Sequence, residues 1–293
     1  MSHPVLSTER SATDDAPRRP AGFIRRHPLI AFFAWFTVVG QAFALAPVIL
    51  AANGIDTVVP FQVFIIGSTL FGLLLPALAI TGITGGRVAA RRMLSSAVRV
   101  RAGVPAYILI LLGVPVIAIT LMTVVGGVPA QTGLLDVMLG YFVVFGVQLV
   151  LSFVPNNWAE EVAWTGFVQA RLRERHTLLV TALIAAPLFA SQHLALVVMQ
   201  GPIAGGLLLL LLTVLVIPFR FLAGWMFEST GSLFAVGLLH AAGNAAAGGS
   251  GFGPGWAAHL WQGDMSAGFA HFLAYLIIAV PVFLMHRRAL VRR

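Results

Sequence analysis

The 293-residue sequence contains no cysteine and no lysine, and only 10% of its residues are charged. Without cysteine the chain can form no disulfide, no cysteine-ligated zinc site and no thiol nucleophile. Soluble globular domains carry about 25% charged residues, so this shortage of charge predicts a membrane protein. The residues that are present agree with this prediction, because 59% of them are hydrophobic.

Apolar runs long enough to cross a bilayer recur along the chain. A transmembrane helix needs about 20 mostly apolar residues, and several segments reach that length. We therefore predict an all-α fold, a polytopic membrane helix bundle of about eight transmembrane helices. The predicted spans are residues 28–52, 58–84, 104–126, 136–175, 177–199, 203–226, 232–247 and 267–286.

All 18 basic residues are arginines, and most of them lie near the ends of the predicted spans. In an eight-span topology every cluster falls on one side of the bilayer, whereas the four loops on the other side contain no arginine. By the positive-inside rule, this asymmetry predicts that both termini are cytoplasmic. The clusters are residues 10–26, 87–101, 171–175, 220 and 287–293.

The same pattern divides the chain into three parts. Residues 1–26 are polar and predict a disordered cytoplasmic segment, residues 27–286 a transmembrane helix bundle, and residues 287–293 a basic cytoplasmic tail. Small-residue patterns at 42–46 resemble signal-peptide cleavage sites, but the apolar run continues past them. The arginines form no basic stripe with interleaved aromatic residues, so we expect no nucleic-acid partner.

Two adjacent glutamates, Glu160 and Glu161, lie inside the fourth predicted span. A charged side chain at the centre of a membrane helix costs a few kcal/mol, so such residues are candidates for function. Neighbouring side chains on a helix point about 100° apart, so we expect the two carboxylates to have different partners. A structural ion pair between helices is the alternative interpretation.

Two later spans also carry polar residues at helical spacing. Phe189 and His193 are four residues apart in "FASQH", as are His240 and Asn244 in "HAAGN", so each pair shares a helix face. If the three helices converge, they can hydrolyse an acyl bond in one of two ways. Either Glu160, His193 and His240 bind a divalent metal such as zinc, which activates water. Or no metal is used: Glu160 and His193 activate water directly, and His240 and Asn244 stabilise the oxyanion.

Both mechanisms require water inside the bilayer, so we expect a polar cavity, accessible from the cytoplasm. Taken alone, each polar residue also has a structural interpretation, His193 as a core histidine and His240 with Asn244 as an interhelical contact. The other ionisable residues near the span ends are assigned to no site: His176, Glu228, His259 and His271.

Three motifs in this order resemble the CAAX endopeptidase and bacteriocin-processing family of intramembrane proteases, also called the CPBP or Abi family. The segment "EEVAWTGF" resembles its Glu-Glu motif, "FASQH" its Phe-x-x-x-His motif and "ESTGSLFAVGLLHAAGN" its last region. The resemblance covers about residues 136–247. One position departs from it, because Thr165 stands where the family has arginine. Without that arginine, we expect Glu161 either to be protonated or to pair with Arg220 or Arg171 from elsewhere in the chain.

The resemblance implies an intramembrane endopeptidase of the cytoplasmic membrane. Its substrate would be a membrane-associated protein or peptide, prenylated or a precursor. The residues carried over as catalytic are Glu160, Glu161, His193, His240 and Asn244, with Glu160 as the activating carboxylate. Because the motif arginine is missing, a catalytically silent member acting as an immunity or scaffold protein is the alternative. A proton-coupled transporter with a glutamate–histidine relay is the third hypothesis.

Overall fold

Every regular element of the computed structural model is a helix within the residues that it describes, which are 19–129, 133–249, 251–262 and 264–291. Six helices are long and apolar enough to cross a membrane, and two further apolar helices are shorter. Many of their outward-facing side chains are apolar and exposed, as lipid contact requires. The predicted all-α, multi-pass helix bundle is therefore confirmed.

The helices are numbered in chain order, and the fifth to ninth of them carry most of the site. They are α1 (Arg19–Arg26), α2 (Pro28–Ala52), α3 (Phe61–Ala97), α4 (Val104–Gly126), α5 (Leu135–Arg173), α6 (Leu178–His193), α7 (Ala195–Gln200), α8 (Pro202–Thr230), α9 (Leu233–Ala246), α10 (Trp256–Leu260) and α11 (Met265–His286).

Three predicted boundaries differ from the structure. Residues 1–18 of the predicted disordered segment lie outside the described residues, but residues 19–26 are helical and form α1. Helix α3 extends past residue 84 to Ala97, and it bends at Gly86, whose φ of 70° is accessible to glycine without steric cost. The predicted basic tail begins inside the last helix, which continues beyond α11 to Val291.

The two shorter apolar helices end for local reasons. Helix α6 tightens into a 3₁₀ turn at Ser191–His193, and the chain resumes as α7. Ser232 caps the start of helix α9, because its hydroxyl accepts a hydrogen bond from the Ala235 N–H at 3.0 Å, and the helix ends where a glycine-rich segment begins. The predicted spans 177–199 and 232–247 are thus helical, but the first is broken and the second is short.

Helix α5 contains wider π-helical turns, two of which, Phe153–Asn157 and Trp164–Gln169, flank the α-helical segment Trp158–Ala163. This segment carries both glutamates. Because π-turns alter the regular direction of side chains along a helix, they occur often at functional sites. In α5, four polar residues before and within the segment are buried: Asn156, Asn157, Glu160 and Glu161.

Helix α9 packs closely against α5 and α11 because many of its residues are small. A Cβ atom at Gly237 would lie 2.8 Å from the Cα atom of Trp158, and one at Gly243 would overlap the Tyr275 hydroxyl. Small residues let membrane helices approach closely when the surrounding lipid supplies no hydrophobic driving force. This close packing brings the polar side chains of α9 to those of α5.

Candidate active site

The two adjacent glutamates are both buried, but they have different surroundings. Glu160 lines a cavity of about 370 Å³ inside the bundle. Glu161 is fully buried and does not line the cavity. The divergence follows from the angle between neighbouring side chains on a helix, as the sequence predicts.

Polar side chains hold Glu160 at the cavity wall. Asn156, one turn earlier on α5, donates from Nδ2 to Glu160 Oε1 at 3.0 Å, and Thr69 of α3 donates to Asn156 Oδ1 at 2.5 Å. The other carboxylate oxygen, Oε2, lies 3.5 Å from Nδ1 of His240. No arginine within the described ranges forms an ion pair with Glu160. Its carboxylate is therefore oriented by neutral donors and remains available to accept a proton.

Glu161, in contrast, has strong partners for both oxygens. Arg220 of α8 donates from Nη2 to Oε1 at 2.5 Å, and the Thr165 hydroxyl donates to Oε2 at 2.6 Å. Both members of the ion pair have an exposed fraction of 0%. Gln169 also donates from Nε2 to the backbone carbonyl of Arg220 at 2.9 Å, which joins α5 to α8 a second time. Glu161 is thus part of a buried ionic contact between helices.

Arg220 supplies the guanidinium that the motif position lacks. Thr165 occupies that position on α5, and it contributes only a hydroxyl to Glu161. Arg171, the other expected partner, donates instead to the Phe167 carbonyl at 3.3 Å and to the Thr84 hydroxyl at 3.2 Å. The sequence led us to expect Arg220 or Arg171 as an arginine partner of Glu161, and in the structure the partner is Arg220.

His240 connects the two glutamates. Its Nδ1 atom lies 3.0 Å from Glu161 Oε1 and 3.5 Å from Glu160 Oε2. A proton on Nδ1 can therefore be donated to either carboxylate, which leaves Nε2 as the free nitrogen of the ring. The ring centroid lies 4.7 Å from that of Phe219 and 5.8 Å from that of Phe189, so aromatic contacts restrict its tilt.

Four of the five residues predicted as catalytic line one cavity: Glu160, His193, His240 and Asn244. The fifth, Glu161, contacts this group through His240. Asn244 donates from one amide hydrogen to Asn157 Oδ1 at 3.2 Å, which leaves the second hydrogen of Nδ2 for another acceptor. The helices α5, α6 and α9 therefore converge on this cavity.

His193 enters the cavity from the 3₁₀ turn that ends α6. The Trp164 indole donates to Gln192 Oε1 at 3.0 Å, which ties this turn to α5. The ring of Phe189 lies 6.0 Å from that of His193, so the two residues of the motif do share a face. Across the described part of the chain, no hydrogen bond or ion pair joins His193 to Glu160. The cavity that they share provides the space for a water molecule between them.

Sequence reasoning missed several residues of the site. Asn156 and Asn157 could have been found, because they lie four and three positions before Glu160 and both spacings place residues on the same helix face. His271 was assigned to no site, but it lines the cavity from α11 with an exposed fraction of 8%. It lies outside the three motifs, and only the packing of α11 against α8 and α9 brings it there.

The predicted metal ligands do not form a metal site in the structure. Within the described ranges, no group of three histidine, aspartate or glutamate side chains is placed to hold a metal ion. The 3.0 and 3.5 Å separations around His240 Nδ1 are hydrogen-bonding and ion-pair distances, and Nδ1 faces carboxylate oxygens directly.

Comparison with known proteins gives one family match. The family model described as type II CAAX prenyl endopeptidase Rce1-like matches residues 142–246. The matched segment includes Glu160, His193, His240 and Asn244. No curated protein matches the chain. The family resemblance seen in the three motifs is confirmed over the matched segment.

Proposed function

We propose, on the premise that the chain belongs over residues 142–246 to the Rce1-like family, that it is an intramembrane endopeptidase. It hydrolyses a peptide bond of a membrane-associated protein or peptide in the cytoplasmic membrane. The observation that supports this most is the single cavity lined by Glu160, His193, His240 and Asn244. These residues provide a general base and hydrogen-bond donors within one space.

In the first step a water molecule in the cavity is bound between Glu160 and His193. The Glu160 carboxylate accepts a proton from this water, and the oxygen attacks the carbonyl carbon of the scissile bond. A positioned base of this kind contributes about 10²–10⁴-fold in rate. Glu160 suits the role because its partners are neutral amides and one imidazole, whereas an arginine would lower its basicity.

The carbonyl oxygen then becomes an oxyanion, which needs donors in a dry site. Asn244 has one amide hydrogen free for it, since the other is donated to Asn157. His240 adds a second donor from Nε2 when both ring nitrogens carry a proton, because Nδ1 donates to the carboxylates of Glu160 and Glu161. When the tetrahedral intermediate collapses, the C–N bond breaks and Glu160 returns its proton to the leaving amine.

Glu161 and Arg220 act through His240 as positioning residues. The Arg220 guanidinium is fully buried, lies 4.3 Å from the centroid of the Phe219 ring and holds Glu161 Oε1, which is also the oxygen nearest His240 Nδ1. The orientation of the imidazole is thus fixed by an ion pair that does not reach the cavity. This arrangement supports an active enzyme over a silent family member, because Arg220 supplies a charge to Glu161 that Thr165 lacks.

The test is cleavage of an internally quenched, farnesylated CAAX peptide by the purified full chain in detergent. Glu160→Gln should reduce the rate by at least about 100-fold, while Glu228→Gln, a change at the surface, should leave it unaltered. Unchanged cleavage by Glu160→Gln would contradict the role of Glu160. If the wild-type chain cleaves neither this peptide nor unprenylated precursor peptides, the immunity or scaffold hypothesis takes precedence.

A further inference from the structure

Helix α3 is longer than a bilayer requires, and its last part is basic. It has 37 residues, whereas about 20 suffice to cross the hydrocarbon core. At Gly86 the backbone leaves the helical conformation, and residues 87–98 follow as a separate segment, here called the basic arm. The basic arm carries Arg87, Arg91 and Arg92. Its charge makes it a candidate for a role other than crossing the membrane.

The basic arm is fixed to the bundle along one side. Met93 and Ala97 are buried, and the hydroxyl of Thr81 donates to the Met93 sulfur at 3.5 Å. The indole of Trp158 on α5 donates to the Ala97 carbonyl at 2.7 Å. These contacts hold the arm in one orientation, so its opposite side stays open.

The open side of the arm mixes arginines with apolar residues. Arg87, Arg91, Leu94 and Val98 follow one another at spacings of four, three and four residues, so they form one stripe. Leu94 is 43% exposed and Val98 is 67% exposed. This combination is typical of a helix at a bilayer interface, where apolar side chains enter the acyl boundary and basic groups reach the headgroups.

Helix α1 adds arginines beside the bend of α3. Arg25 donates from Nε to the Ile83 carbonyl at 3.1 Å, three residues before Gly86. Arg26 is exposed, and so is the apolar side chain of Phe23. The two helices therefore form one basic surface. It consists of Arg25, Arg26, Arg87, Arg91 and Arg92.

The chain supplies no counter-charge to this basic surface. Among the residues that the structure describes, none of its five guanidinium groups forms an ion pair, whereas Arg173 and Arg220 each pair with a glutamate. Between residues 16 and 135 the sequence has nine arginines but a single acidic residue, Asp56, which lies at the opposite end of α3. The charge is thus available to an anion from outside the chain.

We propose that the basic surface binds anionic phospholipid headgroups, and that the basic arm lies in the interface of the same leaflet. The guanidinium fork matches phosphate oxygens, and basic helices next to a transmembrane segment are attracted to anionic lipid. An acidic segment of a soluble protein would satisfy the charge but not the lipid-like surroundings that Leu94 and Val98 need. The proposal does not depend on the peptidase chemistry.

The test uses lipid contact, reported by a fluorophore on a single cysteine, because the natural chain has none. The full-length Leu94→Cys variant is labelled and reconstituted into phosphatidylcholine vesicles. A fixed fraction of the lipid is brominated phosphatidylglycerol in one sample and brominated phosphatidylcholine in the other, and bromine quenches fluorescence on contact. Val124→Cys is the control, because Val124 is 78% exposed near the end of α4 and lies outside the basic surface.

At Leu94→Cys, brominated phosphatidylglycerol should quench as if its local concentration were at least about threefold that of brominated phosphatidylcholine. This preference should weaken as salt is added. At Val124→Cys the two lipids should quench equally. Equal quenching at Leu94→Cys would overturn the proposed lipid selectivity, and absence of quenching by either lipid would overturn the position of the arm in the interface.

Charge variants in the Leu94→Cys background identify the arginines responsible. Arg87→Gln with Arg91→Gln should abolish the preference, whereas Arg87→Lys with Arg91→Lys should retain most of it. The matched control is Arg173→Gln with Arg175→Gln, which removes the same charge outside the basic surface and should leave the preference intact. An equal loss in the two glutamine variants would contradict a specific role of the basic surface.

The unfolding midpoint in phosphatidylcholine shows whether each variant is folded. Because Arg87 and Arg91 are exposed, we expect midpoints close to that of the wild type. The comparison of the two brominated lipids at Leu94→Cys needs no arginine substitution, so it decides the proposal even if a double variant does not fold.

Discussion

Glu160 and Glu161 are neighbours in the chain, yet the regions around them differ in almost every physical respect. Around Glu160 the side chains are neutral or aromatic, a cavity of about 370 Å³ is present, and Oε2 has His240 at 3.5 Å as its ionisable neighbour. Around Glu161 there is no cavity, and the two oxygens are bound by Arg220 at 2.5 Å and Thr165 at 2.6 Å.

From this difference we expect Glu160 to be the reactive carboxylate and Glu161 to stabilise the fold. A buried carboxylate that is fully paired holds helices together but is a poor base, because its charge is already neutralised. A carboxylate oriented by amides keeps its basicity but contributes less to holding the bundle together. In the proposed mechanism, Glu161 with its arginine partner holds His240 in position for Glu160, which lines the cavity.

The largest effect is expected from Arg220→Gln, which leaves the Glu161 carboxylate buried without its ion-pair partner. We expect a loss of about 3–5 kcal/mol in the free energy of unfolding, measured by thermal unfolding in detergent. The matched control is Arg173→Gln, whose pair with Glu228 is about one-third exposed and should contribute at most about 1 kcal/mol. Adding Thr165→Arg to Arg220→Gln should restore part of the loss. Equal effects of Arg220→Gln and Arg173→Gln would contradict the assignment.

A change on the cavity side should reduce catalysis and leave stability largely intact. Asn244→Ala removes a proposed oxyanion donor, and such a loss costs about 10²–10³-fold in kcat. Peptide cleavage is compared with that of Asn53→Ala, in which the amide removed is exposed and bonds only to the Ile49 carbonyl. A rate for Asn244→Ala within a few-fold of that control would exclude Asn244 from the oxyanion site.

Two threonines test the comparison further. Thr69 donates a hydrogen bond in the region around Glu160, and Thr165 donates one in the region around Glu161. Thr69→Val removes the donor to Asn156, and Thr165→Val removes the donor to Glu161. Each bond is worth about 1 kcal/mol, so Thr69→Val should lower kcat roughly fivefold, whereas Thr165→Val should mainly lower the free energy of unfolding. Identical profiles for the two variants in cleavage and unfolding assays would contradict the division.

The smallest effect is expected from metal removal. Dialysis of the purified chain against a strong chelator should leave peptide cleavage unchanged, since Glu160, His193 and His240 do not form a group that can hold a metal ion. Elemental analysis of the untreated protein is the companion measurement. Activity that is lost on chelation and restored by zinc would contradict this prediction and support the metal mechanism instead.

Hydropathy predicted the spans with good accuracy where a helix is uninterrupted. The predicted ranges 28–52 and 104–126 coincide with Pro28–Ala52 and Val104–Gly126. It could not predict the break at Ser191–His193, because the residues on both sides are equally apolar. The extension of α3 to Ala97 was also missed, since a helix that continues past Gly86 into an arginine-rich stretch leaves no apolar signal.

The candidate site was predictable to the extent that its residues are spaced four apart on one helix. Phe189 with His193 and His240 with Asn244 have that spacing, so each pair shares a face. The partner of Glu161 was not determined by spacing, because Arg220 is 59 residues away on another helix. The place of His271 in the cavity depends on how α11 packs, which no local pattern encodes.

The most direct test of this account is a paired measurement on Glu160→Gln and Glu161→Gln, recording both peptide cleavage and the midpoint of thermal unfolding. The account predicts that Glu160→Gln loses cleavage by at least about 100-fold with an unfolding midpoint close to that of the wild type. Glu161→Gln should lower the midpoint clearly, while the molecules that remain folded still cleave. The reverse pattern, or the same pattern in both variants, would contradict the division between a reactive and a structural carboxylate.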